Sequence, residues 1–589
     1  MNTDASARQS SVRYEADERP PLLLTIGLGL QIALLTVGGV VLTVAIVSRA
    51  GGASESFLTW GVFAAAAISG TTTIIQAIRV GRIGAGYVLM MGTSGSFIAV
   101  CIGALAQGGP ALMATLIIIS SLFQFLLSAR LSLLRRILTP AVSGTVIMLI
   151  SVTVMPIAFN MLNRVPEGMP SSSAAVTAVA TVLVTLGIAL KARSSLRLWA
   201  PVIGVAAGSI VGGYFGLYDA GRVAAASWLG LPDGSWPGID ISFGPAFWAL
   251  LPAFMFVTLV GAVETIGDSV AIQRVSWRRP RAVDYRAVQG AVAADGLGNL
   301  LSGLMGTVPN TTYSSSIAVT ELTGVASRMV GVVVGAAFVL VAFIPKFLAV
   351  VLAIPDPVAG GFLIVLLSML FVIGMKLVLQ DGIDYRKGLV VGVGFWIGVG
   401  FQNDAIFPAL VSDFAGGLLR NGMTAGGLAA ILMTLFLEIT SPRRHRMESD
   451  FDLAALPKIR AFLEGFASRQ GWDKGAADRL MAASEETLLA LIPREDENSQ
   501  PRRLLLVAHR EGDSAVLELV AATGEGNLQD RIELLGDERA VETPEELEVS
   551  LRLLRHYASS VHHQQYHDTD IITLQVDVSP PPLRSPRAQ

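Results

Sequence analysis

Glu264 and Asp268 stand four residues apart in the apolar stretch LVGAVETIGDSVAIQRVS, so a helix through it carries both carboxylates on one face. A third acid, Asp295, follows in ADGLGNLLSG, and the chain then enters the proline-broken, hydroxyl-rich run TVPNTTYSSSIAVTELTGVASR. A carboxylate at membrane depth is costly, and by default it marks a pathway or a binding site. Such a group can accept N–H bonds from a ligand or carry a proton. A helix that merely ends in water fits Asp268 better than Glu264.

Those acids need a membrane scaffold, and the composition supplies one. The 589 residues are 52% hydrophobic and 15% charged, with mean hydropathy +0.59, which excludes a soluble globule and indicates a polytopic membrane protein. A net charge of -3 gives no sign of nucleic-acid binding. Cys101, the only cysteine, lies in an apolar run as a packing residue, so neither an intrachain disulfide nor a cysteine zinc cluster is possible. Residues 1–20 mix basic and acidic side chains without an apolar core and read as a disordered tail, not a cleaved signal peptide. Fourteen apolar windows, from near 22–48 to near 422–440, are long enough to be spans, two of them imperfect. Basic residues such as Arg79, Arg82, Arg130, Lys191, Lys376 and the RRHR at 443–446 fall on alternate loops. The positive-inside rule then places both termini in the cytoplasm of a cell (inner or plasma) membrane protein and the LPDGSWPGID loop outside.

The imperfect windows, GYVLMMGTSGSFIAV and MGTVPNTTYSSSIAV, are broken by glycine, proline and hydroxyl residues, as cavity-lining segments are. Thr93 precedes Pro140 by 140 − 93 = 47 and Asn310 precedes Pro357 by 357 − 310 = 47, and the pairs Gly144/Gly361 and Ser151/Ser368 keep that register. This predicts a seven-plus-seven inverted repeat with core and gate domains. Two half-helices then aim their N-terminal N–H groups at one midplane site, where Ser94, Tyr313, Ser314, Ser315 and Ser316 could add hydroxyl contacts. The same serines also fit ordinary helix packing.

ETIGD, DGLGN, NTTYS and LTGVASR together resemble the eighth to tenth membrane segments of the nucleobase-ascorbate transporter family, which includes uracil and xanthine permeases; the similarity runs over about residues 20–440. The resemblance implies substrate binding by Glu264, with support or proton coupling by Asp268 and Asp295, and a homodimer. A planar heterocycle would offer ring N–H groups to the carboxylate and carbonyls to backbone N–H groups. No cofactor is expected; the coupling ion implied is H+, with Na+ as the alternative. The chain departs from the family where TTYSENIG is typical: Ser315, Ser316 and Ala318 replace the acid or amide, the Asn and the Gly. Ile32 stands at a histidine position and Gly95 where a stacking Phe is usual. These changes enlarge and depolarise the expected site.

Residues 442–453 read as a linker and 454–578 as a cytoplasmic α+β domain, with helices near 454–470 and 475–492, strands RRLLLVAH and SAVLELVAA, a helix from Pro544 to Ser560 and a strand IITLQVDV; 579–589 read as a disordered tail. The order resembles the histidine-kinase-like ATPase domain of anti-sigma factors, with degenerate nucleotide boxes. Ala490 stands at the magnesium-binding Asn position and Ala522 at the adenine-binding Asp, with Glu486, Gly524 and Gly526 retained. His562, His563 and His567 lie between a helix and a strand without a matching Cys or acid at ligand spacing, so no metal site is expected.

The reading is a secondary transporter, a proton-coupled symporter of a nucleobase-like substrate, regulated through residues 447–578, where a cytoplasmic regulatory protein could bind. The alternatives are a membrane sensor that binds without transport, or an anion carrier of sulphate-permease-like architecture. No nucleophile–base constellation suggests an enzyme.

Glu321 tests the site assignment. Six residues beyond Ser315 on a regular helix, it is turned by about 240° and displaced by about 9 Å, so it does not replace the missing acid and is expected to pair with Arg328 or reach the interface. Glu321→Gln should leave ligand affinity and its pH dependence unchanged, whereas Glu264→Gln should alter both. Loss of pH-dependent binding in monodisperse Glu321→Gln protein would place the coupling acid at Glu321.

Overall fold

The structure is a computed structural model that describes residues 12–134, 139–166, 168–192, 195–379, 384–408, 421–439, 444–491, 503–521, 527–529 and 546–577, with 382, 419 and 532. The chain divides into two compact units, Met1–Arg279 with Ala287–Leu437 and Pro280–Arg286 with Glu438–Gln589.

The first unit is helical. Its elements are α1 (Leu22–Ala50), α2 (Glu55–Ile78), strand β1 (Met90–Thr93), α3 (Ile98–Ala129), α4 (Pro140–Leu162), α5 (Ser171–Lys191), α6 (Ala200–Tyr214), α7 (Pro245–Val275), α8 (Tyr285–Met305), strand β2 (Asn310–Tyr313), α9 (Ser315–Thr323), α10 (Arg328–Ala342), α11 (Pro345–Leu352), α12 (Asp356–Leu379), α13 (Tyr385–Gln402) and α14 (Gly422–Ile439). Local chemistry sets several boundaries. Ser54 caps α2 by accepting from the Phe57 N–H at 3.2 Å, and Thr139 caps α4 ahead of Pro140 at the first helical position. Gly324, at φ 67°, ends α9 in the left-handed conformation.

This is a polytopic helical membrane protein. Among the described residues, eight helices are long and apolar enough to cross a bilayer, or nine if α10 and α11, bent by 86°, count as one span. The sequence windows numbered fourteen, and the difference has local causes. Windows 84–107 and 111–133 meet in α3, which continues across a kink at Gly109 (φ 75°) and Pro110. Window 308–324 holds a strand and a nine-residue helix, and window 198–218 yields the 15-residue α6.

Glycines let helix backbones touch. A methyl group on Gly70 of α2 would meet the Gly335 carbonyl of α10 at 2.5 Å, and one on Gly144 of α4 would meet the Gly374 carbonyl of α12 at 2.5 Å. Gly398 of α13 and Gly422 of α14 meet in the same way. Such small-residue crossings replace the hydrophobic driving force that lipid removes.

Residues 12–20 correct the expectation of a disordered tail; residues 1–11 lie outside the described residues. Tyr14 makes a parallel bridge to Val325, and Ala16 is buried beside Tyr87, Leu89, Ile272 and Trp277. The segment has few apolar residues of its own, and the core it joins is made by distant parts of the chain.

The second unit has a five-stranded antiparallel sheet in the order β3 (His445–Asp450), β4 (Arg503–Glu511), β5 (Ser514–Ala521), β7 (Asp570–Asp577), β6 (Ser560–Gln565). Alternate residues Leu504, Leu506, Leu517, Leu519, Ile572 and Leu574 pack with α15 (Leu456–Arg469), α16 (Lys474–Leu491) and α17 (Glu546–Tyr557) in one core. The supposed linker 442–453 contributes β3, and His562 and His563 lie on β6 rather than between elements. HRMESD and SVHHQQ carry almost no apolar residues, so their period was invisible. The ATGEG box, Ala522 included, and the 579–589 tail lie outside the described residues.

Gly144→Val places branched carbon against the Gly374 carbonyl and should destabilise the first unit by about 1–3 kcal/mol, read as a lower melting temperature in detergent with helix content retained. An unchanged melting temperature would show that α4 and α12 can separate at no cost.

Candidate functional site

The two broken segments meet. β1 and β2 pair antiparallel with Met90 opposite Tyr313, Gly92 opposite Thr311 and Thr93 opposite Asn310, and the Ser94 N–H extends the pair by donating to the Pro309 carbonyl at 2.8 Å. A helix starts directly after each strand: the turn Gly95–Phe97 leading into α3, and α9 from Ser315. Because the strands run antiparallel, the two helix starts lie at opposite ends of the strand pair, each with its first N–H groups turned back toward the strands. Side chains satisfy the outer backbone groups of the pair. The Thr73 hydroxyl accepts from the Met91 N–H at 2.9 Å, and the Asn299 Oδ1 accepts from the Asn310 N–H at 2.6 Å.

The α7 carboxylates face this junction. Glu264 is half-buried and lies beside the Ser96 hydroxyl. Asp268 is 8% exposed and accepts at both oxygens, from Thr312 Oγ1 at 2.8 Å and Ser314 Oγ at 2.6 Å. It thereby fastens α7 to the β2–α9 turn. Asp295, on α8, is fully buried; its Oδ2 accepts from Gln124 Nε2 at 2.7 Å and Thr265 Oγ1 at 2.9 Å, while its Oδ1 has no partner. Gln124 Oε1 in turn accepts from Asn299 Nδ2 at 2.7 Å. A continuous polar chain thus links Asp295, Gln124, Asn299 and the start of β2. The partners of these three carboxylates include no base among the described residues.

The hydroxyls separate by role. Tyr313 donates to the Thr93 carbonyl at 2.9 Å, and its ring covers Gly92, where a methyl would meet ring carbon at 2.5 Å. Ser316 is buried, donates to the Tyr313 carbonyl at 3.0 Å and accepts from the Met90 N–H at 3.4 Å. Both are fasteners of the strand pair rather than free ligand groups. Ser314 is exposed but engaged by Asp268. Ser94 and Ser315 carry buried hydroxyl oxygens without partners among the described residues, and a methyl on Gly95 would meet nothing described within 4 Å. Space is therefore left beside Gly95, at the position where the sequence expected a missing Phe to enlarge the site.

Glu321 is exposed, and the expected partner Arg328 instead pairs with Asp17. The ordered segment 12–20, absent from the sequence expectation, takes that base. Sequence reasoning also missed Ser96, Gln124, Thr265, Asn299 and Thr312. Gln124 could have been found as a lone amide in the apolar run IIISSLFQFLLSA, and Asn299 as the residue one helical turn beyond Asp295.

Residues 24–405 match the model of a family described as "Permease family", Xan_ur_permease. A putative purine permease of Clostridium perfringens is 29% identical over 449 residues, covering 74% of this chain and 96% of its own length. The xanthine permease XanP of Escherichia coli (strain K12) is 28% identical over 73% of this chain and 96% of its own. The uric acid permease PucK of Bacillus subtilis is 28% identical over 70% of this chain and 96% of its own.

Asp268 and Glu264 should respond differently to truncation. Asp268→Ala leaves the buried Thr312 hydroxyl without its acceptor and should cost about 1–3 kcal/mol, whereas Glu264→Ala should leave the melting temperature within about a degree or two of wild type. Equal losses for the two variants would remove the distinction between fastener and ligand group.

Proposed function

The chain belongs to this permease family, and from that premise we propose a secondary transporter, a proton-coupled symporter of a nucleobase-like substrate of the purine, xanthine and uracil class. Being a permease, it is no enzyme. The observation that carries the reading is the half-buried Glu264, a carboxylate beside Ser96 at the helix start after β1, one turn before Asp268 at the helix start after β2. A ring N–H of the substrate donates to Glu264, and its carbonyl oxygens accept from N–H groups at the starts of the turn at Gly95 and of α9. The names of the three relatives, which concern purine, xanthine and uric acid, support a purine edge over a pyrimidine one.

Proton coupling falls to the acids. Asp268 is occupied by Thr312 and Ser314, while Asp295 keeps one oxygen without a partner and connects to β2 through Gln124 and Asn299. A proton on this cluster offsets negative charge gathered in a site without a base. In this reading H+ is the coupling ion, Na+ remains the alternative, and no cofactor takes part.

The proposed topology has fourteen membrane segments in two inverted halves, both termini cytoplasmic. It is supported by the constant offset 310 − 93 = 217 and 357 − 140 = 217, and by the pairing of Thr93 with Asn310 across the strand junction. A homodimer in the lipid bilayer and regulation through the second unit, where a cytoplasmic protein could bind, complete the proposal. A site widened by Ser315, Ala318, Ile32 and Gly95 keeps a second reading alongside it, a sensor that binds the heterocycle without moving it. The anion-carrier reading has no base at the carboxylates in its favour.

Uptake of labelled xanthine, uric acid and uracil into vesicles tests the reading. An inward proton gradient should drive accumulation, a protonophore should abolish it, and Glu264→Gln should lower binding more than tenfold, a loss above about 1.4 kcal/mol. Saturable binding without accumulation would establish the sensor, and unchanged binding in Glu264→Gln would remove Glu264 from the site.

A further inference from the structure

Arg278 lies just beyond the end of α7, the helix that carries Glu264 and Asp268, and it is held almost entirely by residues 12–18. Its Nη1 donates to Glu18 Oε1 at 2.7 Å and its Nη2 to Glu18 Oε2 at 2.5 Å, a two-point pairing of guanidinium and carboxylate. The same Nη2 reaches the Arg13 carbonyl at 2.8 Å, Nε reaches the Val12 carbonyl at 3.3 Å, and the Arg278 backbone N–H donates to Glu15 Oε1 at 2.9 Å. The Glu15 N–H closes the ring by donating to Glu18 Oε2 at 2.9 Å. The Arg278 guanidinium holds the Glu18 carboxyl below the usual carboxylate range, so the grip stays charged at neutral pH.

The opposite edge of the same segment is bonded to the turn that ends α9, the helix that begins at the site with Ser314 and Ser315. The Arg13 and Tyr14 N–H groups donate to the Gly324 carbonyl at 2.7 and 3.0 Å, the Ala326 N–H donates to the Tyr14 carbonyl at 2.8 Å, and the Arg328 N–H donates to the Ala16 carbonyl at 3.0 Å. Ser327 Oγ donates to the Glu18 carbonyl at 2.6 Å, and the Arg328 guanidinium pairs with Asp17. Alternation explains the geometry: Tyr14 and Ala16 face packed residues while Glu15 and Asp17 face the two bases.

We infer that residues 12–20 are a positioning strap, which by gripping Arg278 after α7 and the 324–328 turn after α9 keeps the Glu264 and Asp268 helix in register with the Ser314 and Ser315 helix. Arg278 is then a positioning residue for the binding site although it touches no ligand. The ion pair sits at the surface, with the Arg278 side chain 43% and the Glu18 side chain 40% exposed, so salt and charge reversal can weaken it without disturbing a core. Loosening the strap lets the two helices separate at the β2–α9 turn and opens the site. This concerns the site of the proposed transporter but does not depend on its cargo.

The test reads the site without a substrate. In full-length protein Ser315→Cys reports opening through its rate of labelling by a small methanethiosulfonate reagent, and the native Cys101 is buried. Adding Arg278→Glu should raise that rate about fivefold or more, and adding Glu15→Arg and Glu18→Arg to the reversed variant should return it to within about twofold of the parent. Raising salt from about 0.05 M to about 0.5 M should speed labelling in the parent and have little effect in a milder Arg278→Gln variant. Xanthine affinity, measured in parallel, should fall with reversal and recover with the swap. Labelling that ignores both Arg278 variants, or that rises and is not restored by the swap, overturns the strap. Wild-type protein that fails to bind xanthine while labelling follows the pattern overturns the proposed cargo and leaves the strap standing.

Discussion

Backbone polar groups at membrane depth have no water to bond, and the pairing of β1 with β2 is the solution on which the rest of this permease depends. Two stretches that leave the helical conformation would otherwise expose N–H and C=O groups at a cost of several kcal/mol each. Pairing Met90–Thr93 with Asn310–Tyr313 satisfies the inner edges, and Thr73, Ser316 and Asn299 serve the outer ones. Hydroxyl and amide side chains in apolar helices are thereby explained as partners of irregular backbone. Gly92 follows from the same constraint, because the Tyr313 ring occupies the place of its missing side chain.

Once the strands pair, the site follows. Two helix starts lie at opposite ends of the strand pair, and the long α7 brings Glu264 to the one at Ser96 and Asp268 to the one at Ser314. One acid is consumed in fastening the junction, one is kept half-buried at its mouth, and Asp295 is buried behind on an amide relay. Position along two helices thus gives three similar carboxylates three surroundings: Asp268 as a fastener, Glu264 half-buried beside Ser96, and Asp295 as an interior acid.

The acids were legible because charge in an apolar helix has few structural explanations, and the two broken segments because Gly, Pro and hydroxyl clusters interrupt a span visibly. The hydroxyls were not separable by sequence: Ser314, Ser315 and Ser316 read alike, yet one bonds Asp268, one has no partner and one ties β1 to α9. Only the register of β1 against β2 decides among them, and register is a property of pairing rather than of composition. In the second unit, β4, β5 and β7 were legible from alternating Leu, Val and Ile. The polar β3 and β6 were not, since an edge strand can take its stability from the neighbour it pairs with. Residues 12–20 escaped for the same reason, their few apolar contacts being distant in the chain.

The glycine crossings reach further than packing. Helices α2 and α10 at Gly70 and Gly335, and α4 and α12 at Gly144 and Gly374, meet backbone to backbone, so neither member can shear past the other without driving a carbonyl into the opposing chain. Where α4 faces α7, by contrast, Val142, Val146, Phe256, Val260 and Val263 form a joint of branched and aromatic side chains around a small void. The glycine couples are thus set at backbone distance, whereas the α4–α7 contact rests on side chains alone, so a change of side-chain size is felt as a backbone shift in the first and as repacking in the second.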